Sequence, residues 1–238
     1  MPDKRTHRGP APGDKELFTG ESVEILRRAV ADYSLLLTKG YAEKSSLKLV
    51  GDRFSLTARQ RLAVMRNSCT DNQLRQRKLK AITIDNAKQN SVVIDGYNLL
   101  ITAESALSGG FIFLGRDGCY RDLASIHGTY RKVTETIPAI MLIGRFFAES
   151  GIASVKWLLD APVSNSAKLK TLMAELSEKN DWQWDISLSA NVDKDLMKSQ
   201  ETVVTSDGVV LDNCKKWLNA GRMIVKKTDE PSIVNLEV

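Results

Sequence analysis

The sequence contains few of the residues that build disulfide-rich or zinc-binding domains. Only three of its 238 residues are cysteines, and Cys69, Cys119 and Cys214 lie far apart. An odd number of widely spaced cysteines argues against a disulfide framework, and it also argues against a zinc site, which usually needs clustered ligands. We therefore expect the chain to work in a reducing cytoplasm.

Long apolar segments are also missing. The best stretch, residues 137–148, contains Pro138 and Arg145 and is shorter than the roughly 18–20 residues that a membrane helix needs. Residues 1–13 are polar and include three prolines, so they do not resemble a secretory signal. The sequence therefore predicts no membrane partner and a cytoplasmic location.

Several motifs of common enzymes are absent. There is no G-x-x-x-x-G-K-[ST] sequence, which argues against a P-loop, and no G-x-G-x-x-G follows a predicted strand. No G-x-S-x-G elbow is present. An aspartyl-phosphate site would need a second Asp two residues after Asp95, but position 97 is Tyr. A lone His127 is more typical of a packing or surface role than of a proton shuttle.

Charge is distributed unevenly along the chain. The net charge of +5 combines a balance of +8 over residues 1–90 with −3 over residues 91–238. A basic first part suits attraction to a polyanion, whereas a mildly acidic second part suits chemistry that needs carboxylates. The 42% of hydrophobic residues is sufficient for a sizeable core.

The first 90 residues are predicted to form a flexible tail at 1–15 and a small basic all-α domain at 16–90. Apolar residues recur every three or four positions over 21–37, which indicates a helix, and Thr57 with Gln60 forms a capping box that starts another. Basic side chains of these helices could contact phosphates, or they could only solvate the helix surfaces. They are Arg59, Arg66, Arg75, Arg77, Lys78 and Lys80.

Residues 91–238 are predicted to form an α/β domain with a central parallel sheet and helices on both faces. Apolar runs at 92–95, 155–160 and 202–206 predict buried parallel strands. Glycines around 111–114 suggest a short hairpin. Other predicted elements are strands near 182–188 and 222–226, and helices over 120–136, 139–150, 166–179, 191–198 and 211–219.

Three of the predicted strands end in an aspartate: Asp95, Asp160 and Asp207. Because ligands bind beyond the carboxyl ends of strands in open parallel sheets, these carboxylates would meet at one rim. They would repel one another unless a cation lay between them, and Mg²⁺ and Mn²⁺ prefer such oxygen ligands. Asp193 and Asp212 begin neighbouring helices and are further candidate metal ligands. The structural alternative is that each aspartate only caps a helix or forms a turn.

Two of these segments carry a family resemblance. Residues 93–100, Val-Ile-Asp-Gly-Tyr-Asn-Leu-Leu, resemble the opening motif of the NYN group of PIN-like nucleases, and residues 203–207, Val-Val-Thr-Ser-Asp, resemble a later motif of that superfamily. Residues 158–162 and 191–196 are similar to its second-strand aspartate and its helix-borne acid. The resemblance extends over about residues 91–226. The whole chain looks like a group of uncharacterised prokaryotic proteins that join a helical N-terminal region to a PIN-like domain.

The resemblance implies a PIN-like three-layer αβα domain over residues 91–238 and a metal-dependent endoribonuclease that uses Mg²⁺ or Mn²⁺. It assigns catalysis and metal binding to four aspartates, and Asn98 with Ser206 to contacts with the substrate. The basic helical domain would dock the RNA. The four assigned aspartates are Asp95, Asp160, Asp193 and Asp207.

Arginines near the first motif are candidates to bind the phosphates of the substrate. Arg116 and Arg121 could hold a phosphate through paired N–H groups, with Arg131 as a further candidate. The alternative is a turn in which arginines and aspartates of the loop pair with one another.

Two other functions fit the same residues. A non-catalytic RNA-binding or scaffold protein could retain a PIN-like fold, and a toxin-like nuclease could be controlled by a protein partner. A homodimer or another protein partner is compatible with each of them.

Overall fold

The structure, a computed structural model, describes residues 6–124 and 128–238. Its N-terminal region is helical and its second part is mixed α/β. The helices of the first part are α1 (Asp14–Phe18), α2 (Glu21–Thr38), α3 (Glu43–Arg53), α4 (Ala58–Asn67), α5 (Asp71–Lys80) and α6 (Ile84–Ala87). The later elements are β1 (Ser91–Asp95), α7 (Gly96–Leu107), β2 (Ile112–Leu114), β3 (Tyr120–Arg121), α8 (Thr136–Glu149), β4 (Ser154–Asp160), α9 (Ser166–Lys179), β5 (Trp184–Ser189), α10 (Val192–Lys198), β6 (Thr202–Val204), α11 (Gly208–Asn213), α12 (Ala220–Val225) and β7 (Ile233–Asn235).

Helices α4 and α5 begin with the same hydrogen-bonding device. The Thr57 side chain accepts from the backbone N–H of Gln60, and the Gln60 side chain accepts from the backbone N–H of Thr57. Thr70 and Gln73 repeat the arrangement. These capping boxes pair N–H groups that a helix start leaves without partners, and the first of them confirms the predicted start at Thr57.

The central sheet has four parallel strands in the order β5-β4-β1-β6. The three apolar runs therefore lie parallel in one sheet, as predicted. Val92 and Ile94 of β1 pack into the core formed with α7, α8 and α9, whereas Val93 packs into the core formed with α10 and α11. Because adjacent residues of a strand point to opposite faces, helices cover both faces, and the α/β class with a parallel central sheet is confirmed.

A second, smaller sheet connects the helical region to the α/β part. Strand β2 pairs antiparallel with β3, which confirms the predicted hairpin, and parallel with β7. Phe113 of β2 and Val234 of β7 belong to the same core as Leu26 and Phe18 of the helical region. The rings of Phe18 and Phe113 meet edge to face at 4.8 Å. The core of the N-terminal helices is thus completed by residues from beyond position 91.

The predicted flexible tail is wrong for residues 6–15. Arg8 is buried, its guanidinium pairs with the fully buried carboxylate of Glu104 in α7, and it donates to the carbonyl of Arg131 at 3.1 Å. The backbone N–H of Thr134 donates to the carbonyl of Thr6 at 2.9 Å. A buried ion pair and two hydrogen bonds therefore hold a segment whose composition alone favours disorder. Residues 1–5 lie outside the described residues.

Three element predictions in the second part are also wrong. The predicted strand at 222–226 falls in helix α12, the predicted helix at 120–136 begins with strand β3, and the predicted helix at 211–219 ends at Asn213. Short apolar runs do not distinguish a strand from a helix by periodicity alone.

His127 and the rest of 125–127 are outside the described ranges. Across those ranges, no helix combines the length and the apolar character needed to cross a membrane.

Candidate functional site

Hydrogen bonds join the carboxyl ends of β1 and β6, where the two recognised motifs lie. The Oδ1 atom of Asp95 accepts from the backbone N–H of Asn98 at 3.3 Å and so caps α7. Its Oδ2 atom accepts from the Thr205 hydroxyl at 2.9 Å. The same Thr205 oxygen accepts from the backbone N–H of Asp207 at 3.0 Å. Thr205 therefore fixes the position of Asp95 relative to Asp207.

Asn98 and Ser206 form a second link between these strands. The Oδ1 atom of Asn98 accepts from the backbone N–H of Ser206 at 2.8 Å and from its hydroxyl at 2.9 Å. Asp207 caps α11 through Oδ1, which accepts from the N–H groups of Val209 and Val210. Asp95 and Asp207 thus both cap helices, which is one part of the structural alternative. Capping involves only Oδ1 of Asp207, so its other oxygen remains available for a ligand.

Gly96 explains why a glycine follows the first aspartate. A Cβ atom at this position would lie 2.7 Å from the carbonyl oxygen of Leu158 and 2.5 Å from a methyl group of Leu159. Both atoms belong to β4. Only glycine lets α7 start this close to the neighbouring strand, and the close approach places Asp95 deep in the rim, with 7% of its surface exposed.

The four assigned carboxylates interact electrostatically at this rim. Burial, together with the nearby carboxylates of Asp193 and Asp207, raises the pKa of Asp95 to about 7. Burial, followed by Asp207 and Asp160, also raises the pKa of Asp193, and burial raises the pKa of Asp160. In residues 6–124 and 128–238, none of the four makes an ion pair with a Lys, Arg or His. Their negative charge is therefore uncompensated.

The chemistry of these side chains fits a hard divalent cation, but their spacing is not that of a closed ligand set. All four offer carboxylate oxygens, which Mg²⁺ and Mn²⁺ prefer. A cation would also relieve the repulsion that raises the pKa of Asp95. Within the described part of the chain, however, no three Asp, Glu, His or Cys side chains are placed to hold one ion. Shared binding therefore requires these side chains to move toward one another.

The raised pKa of Asp95 predicts a pH-dependent stability. An Asp ionises near pH 4 in an unfolded chain but near pH 7 in this site. The stability that protonated Asp95 contributes is therefore complete below about pH 4 and is lost as the pH rises to about 7. Asn cannot ionise, so Asp95→Asn is expected to stabilise the metal-free protein at pH 8 by about 2–4 kcal/mol.

Urea unfolding in EDTA at pH 5 and pH 8 measures this effect. The stabilisation by Asp95→Asn should be smaller at pH 5, because there the wild-type carboxyl keeps its proton. An Asn variant that is no more stable than the wild type at pH 8 would show that the Asp95 carboxylate is not strained at this rim.

Asp212 does not belong to the carboxylate rim. Its Oδ1 and Oδ2 atoms accept from Nε and Nη2 of Arg77 at 2.6 and 2.9 Å, and Gln73 also donates to Oδ2. A carboxylate held by both arms of a guanidinium is already neutralised. The prediction of Asp212 as a metal ligand is therefore wrong. The reason is a partner on α5, 135 positions earlier in the chain.

Arg77 and Arg121 are buried in one charge network. Asp117 is buried between them and accepts from Arg77 at 2.6 Å and from both Nη atoms of Arg121 at 2.8 and 2.6 Å. Burial favours the neutral form of Asp117, but Arg121 and Arg77 outweigh it and hold the pKa of this carboxyl well below its usual range. The alternative of Arg–Asp pairing inside the loop is thus confirmed for Arg121.

This network positions the loop that carries Asp207. The carbonyl of Ser206, just before it, accepts from Nε of Arg121 at 2.9 Å, and the carbonyl of Gly208, just after it, accepts from Nη2 of Arg77 at 3.1 Å. Both guanidiniums are committed to protein groups. The predictions that Arg77 docks RNA and that Arg121 binds a substrate phosphate are therefore wrong.

Most of the remaining basic candidates also contact protein groups. Arg75 and Lys78 are exposed on α5 and Arg131 is exposed after the gap at 125–127. The engaged side chains are Arg59 with Asp14, Arg66 with the carbonyls of Asp122 and Ala124, Arg116 with Asp71 and the carbonyl of Cys69, and Lys80 with the carbonyl of Asp212. Arg75 and Lys78 are consequently the exposed docking candidates of the helical region.

A cavity of about 490 Å³ lies beside the carboxylate rim. We call it the rim cavity. Asn98, Ser206 and Asp207 line it from the rim, and Tyr33 and Met65 line it from α2 and α4. Sequence reasoning did not find this space, because its two walls are far apart in the chain.

Sequence reasoning also did not identify Thr205 and Asp117 as positioning residues. Thr205 lies inside the second motif, two residues before Asp207, and this spacing was a usable signal because hydroxyl side chains often bond to nearby backbone N–H groups. Asp117 had no comparable signal, since one of its partners is 40 positions away.

Comparisons with known proteins identify families whose activities are not described. The family model described as "Domain of unknown function (DUF5616)" matches residues 84–223, and the one described as "Protein of unknown function (DUF434)" matches residues 25–80. The chain is 29% identical over 186 residues to an uncharacterised protein of Methanocaldococcus jannaschii, covering 78% of this chain and 88% of that protein. No solved structure matches the chain significantly. All four rim aspartates fall inside the first match.

Proposed function

We propose that this chain, which belongs to the DUF5616 family, is a metal-dependent endoribonuclease. Its substrate would be RNA, bound across the carboxylate rim and the helical region. Asp95, Asp160, Asp193 and Asp207 would hold Mg²⁺ or Mn²⁺. The motif resemblance to PIN-like and NYN nucleases supports the reaction class.

One observation carries the proposal: at the end of a parallel sheet, Asp193 and Asp207 raise the pKa of Asp95, and Asp207 and Asp160 raise the pKa of Asp193. Bringing like charges together destabilises a fold unless a counter-charge offsets the repulsion. None of the four has a basic partner in the described ranges, whereas nearby Asp117 and Asp212 do. The rim aspartates are thus left without the counter-charge that a bound cation would supply.

In this mechanism, some residues would bind the metal ion and others would position those ligands. A bound divalent ion activates water and offsets charge on a phosphodiester. Thr205 holds Asp95 through its hydroxyl, and the Arg77 and Arg121 guanidiniums hold the backbone on both sides of Asp207. These contacts fix Asp95 and the backbone around Asp207, which limits the reorganisation that metal binding and catalysis would require. The test is whether the purified chain cleaves RNA with Mg²⁺ or Mn²⁺ and stops when EDTA is added.

A second candidate is a non-catalytic RNA-binding protein with the same fold. The observation that favours it is the open spacing of the carboxylates, since no three of the described acidic, His or Cys side chains form a ready ion site. RNA binding without metal-dependent cleavage would select this candidate.

Salt dependence tests the docking role of the helical region. Each phosphate of a single strand that a basic side chain neutralises contributes about 0.7 log units of affinity per log unit of salt. Arg75 and Lys78 are exposed on α5, so replacing both with Ala should flatten the slope by about 1.4. Fluorescence anisotropy with labelled single-stranded RNA at several salt concentrations measures it.

The matched control replaces Lys88 and Lys179 with Ala. They lie just before β1 and β5, at the end of the sheet opposite the rim, and should leave the slope unchanged. Equal slopes for the Arg75/Lys78 variant and the wild type would mean that these charges only solvate α5.

A further inference from the structure

The rim cavity lies where a bound strand would pass. Its volume of about 490 Å³ falls within the roughly 300–1,000 Å³ of small-molecule sites. Asp207, one of the proposed metal ligands, forms part of its wall together with Asn98 and Ser206. A ligand inside the cavity would therefore lie next to the rim where a phosphate is expected.

Apolar side chains stand at both walls of the cavity. Met65 of α4 is 42% exposed and Val209 of α11 is 60% exposed, although both are large apolar residues that line this space. Leu37 and Ile101 add further apolar wall. Apolar surface grouped around a concave site indicates a binding surface rather than scattered exposure. These side chains offer a ligand apolar surface to pack against.

The charges of the walls do not suit a phosphate. Arg77 and Arg121 are neutralised by Asp117 and Asp212, and Arg66 donates to backbone carbonyls. The carboxylates of the wall come from Glu43, Asp122, Asp207 and Asp212. With three guanidiniums against four carboxylates, the cavity has no surplus of positive charge. The neutral base is therefore the part of a nucleotide that fits.

Tyr33 provides a polar group without a protein partner. It is 2% exposed and lines the cavity, yet its hydroxyl forms no hydrogen bond with any residue in the described ranges. Burial raises the pKa of Tyr33, and Glu43 raises it further, so the hydroxyl remains a donor at neutral pH. The hydroxyl is not among the buried polar atoms that lack a partner, so it is open to the cavity, where a base would replace water as its partner.

We propose that the rim cavity receives one base of a single-stranded RNA, adjacent to the phosphate bound at the carboxylate rim. This inference rests on the proposed function and narrows its substrate class. The base would lie against Met65 and Val209, with the Tyr33 hydroxyl at its edge. A base in a duplex cannot enter such a cavity without being unpaired and unstacked, so single strands are the preferred substrates.

An abasic scan tests the inference by binding alone. The probe is a set of single-stranded RNA hexanucleotides, each lacking the base at one position, titrated against full-length Asp95→Asn protein with Mg²⁺. Burial of a base against apolar side chains contributes on the order of 1–3 kcal/mol. Loss of the cavity base should therefore weaken binding roughly 5- to 150-fold, and the other positions should have smaller effects. Equal effects at every position would overturn the inference.

Two variants test whether the base whose loss weakens RNA binding lies in this cavity. Met65→Trp fills part of the space and should remove the dependence on that one position, whereas Leu79→Trp, at a 73% exposed site on α5 outside the cavity, should preserve it. Tyr33→Phe removes only the hydroxyl and should reduce the difference in affinity among the four bases there. Unchanged position and base dependence in both cavity variants would place the base elsewhere and refute the inference.

The outcomes separate this inference from the proposed function. If the wild-type chain cleaves RNA but every abasic position weakens binding equally, the cavity inference alone is overturned. A chain that does not cleave RNA but shows one dependent position, lost in Met65→Trp, would overturn the nuclease proposal and leave the cavity inference standing. Absence of RNA binding would overturn both.

Discussion

Asp95→Asn and Asp207→Asn are each expected to lower the rate of RNA cleavage by at least about 100-fold, since even residues that only support metal ligands contribute about 10- to 100-fold. RNA binding should remain or improve, because each change removes a negative charge from a surface that faces phosphates. Cleavage of labelled single-stranded RNA at saturating protein measures the rate, and anisotropy measures binding.

The matched control for these variants is Asp85→Asn. Asp85 is an exposed residue of α6 that pairs with Lys88, before the start of β1, and its replacement should leave cleavage unchanged. Full activity in both rim variants, or activity that persists in EDTA, would exclude the proposed mechanism. Activity lost in only one of them would restrict the metal site to that aspartate.

Asp117→Asn is expected to destabilise the fold by about 3–5 kcal/mol, the usual effect of removing one partner from a buried ion pair. The change keeps the shape of the side chain but removes its charge. Arg77 retains Asp212, whereas the buried guanidinium of Arg121 retains no carboxylate partner among the described residues. Urea unfolding at neutral pH measures the loss.

Asp71→Asn is the control for this change. Asp71 pairs with Arg116 at 2.6 Å, but its side chain is 57% exposed, and exposed ion pairs contribute only about 0–1 kcal/mol. A loss below about 1 kcal/mol for Asp117→Asn would mean that solvent reaches Arg121 and that the network does not hold the Asp207 loop.

Local sequence patterns predicted much of the fold. The three β-branched runs indicated buried parallel strands because both faces of such strands are covered, and the Thr57–Gln60 spacing marked a helix start. The sequence indicated a hairpin near 111–114 but did not reveal that β7 joins it, since Phe113 pairs with Val234, 121 positions later. Nor did it reveal the burial of Arg8, which depends on a single distant carboxylate.

Strand-end positions located the aspartates of the site, but the arginines were misassigned. Asp95, Asp160 and Asp207 follow from one rule about parallel sheets. The sequence predicted Arg77 as a docking residue and Asp212 as a metal ligand. In the structure these two side chains form an ion pair with each other. Charge counted along a chain cannot distinguish a cation that faces solvent from one that is buried against a distant carboxylate.

The shared core of the N-terminal helices and the small sheet bears on how the chain can be divided. The two family models meet near residue 80, which invites a cut into separately expressed fragments. A fragment starting at residue 91 would expose Phe113, Val234 and Leu236 and would lack the Arg77 anchor of the Asp207 loop. The complementary fragment would lose the part of its core that Phe113, Leu123 and Val234 supply. The two halves are therefore not independent folding units. An insertion or gene fusion should be placed elsewhere than at this boundary.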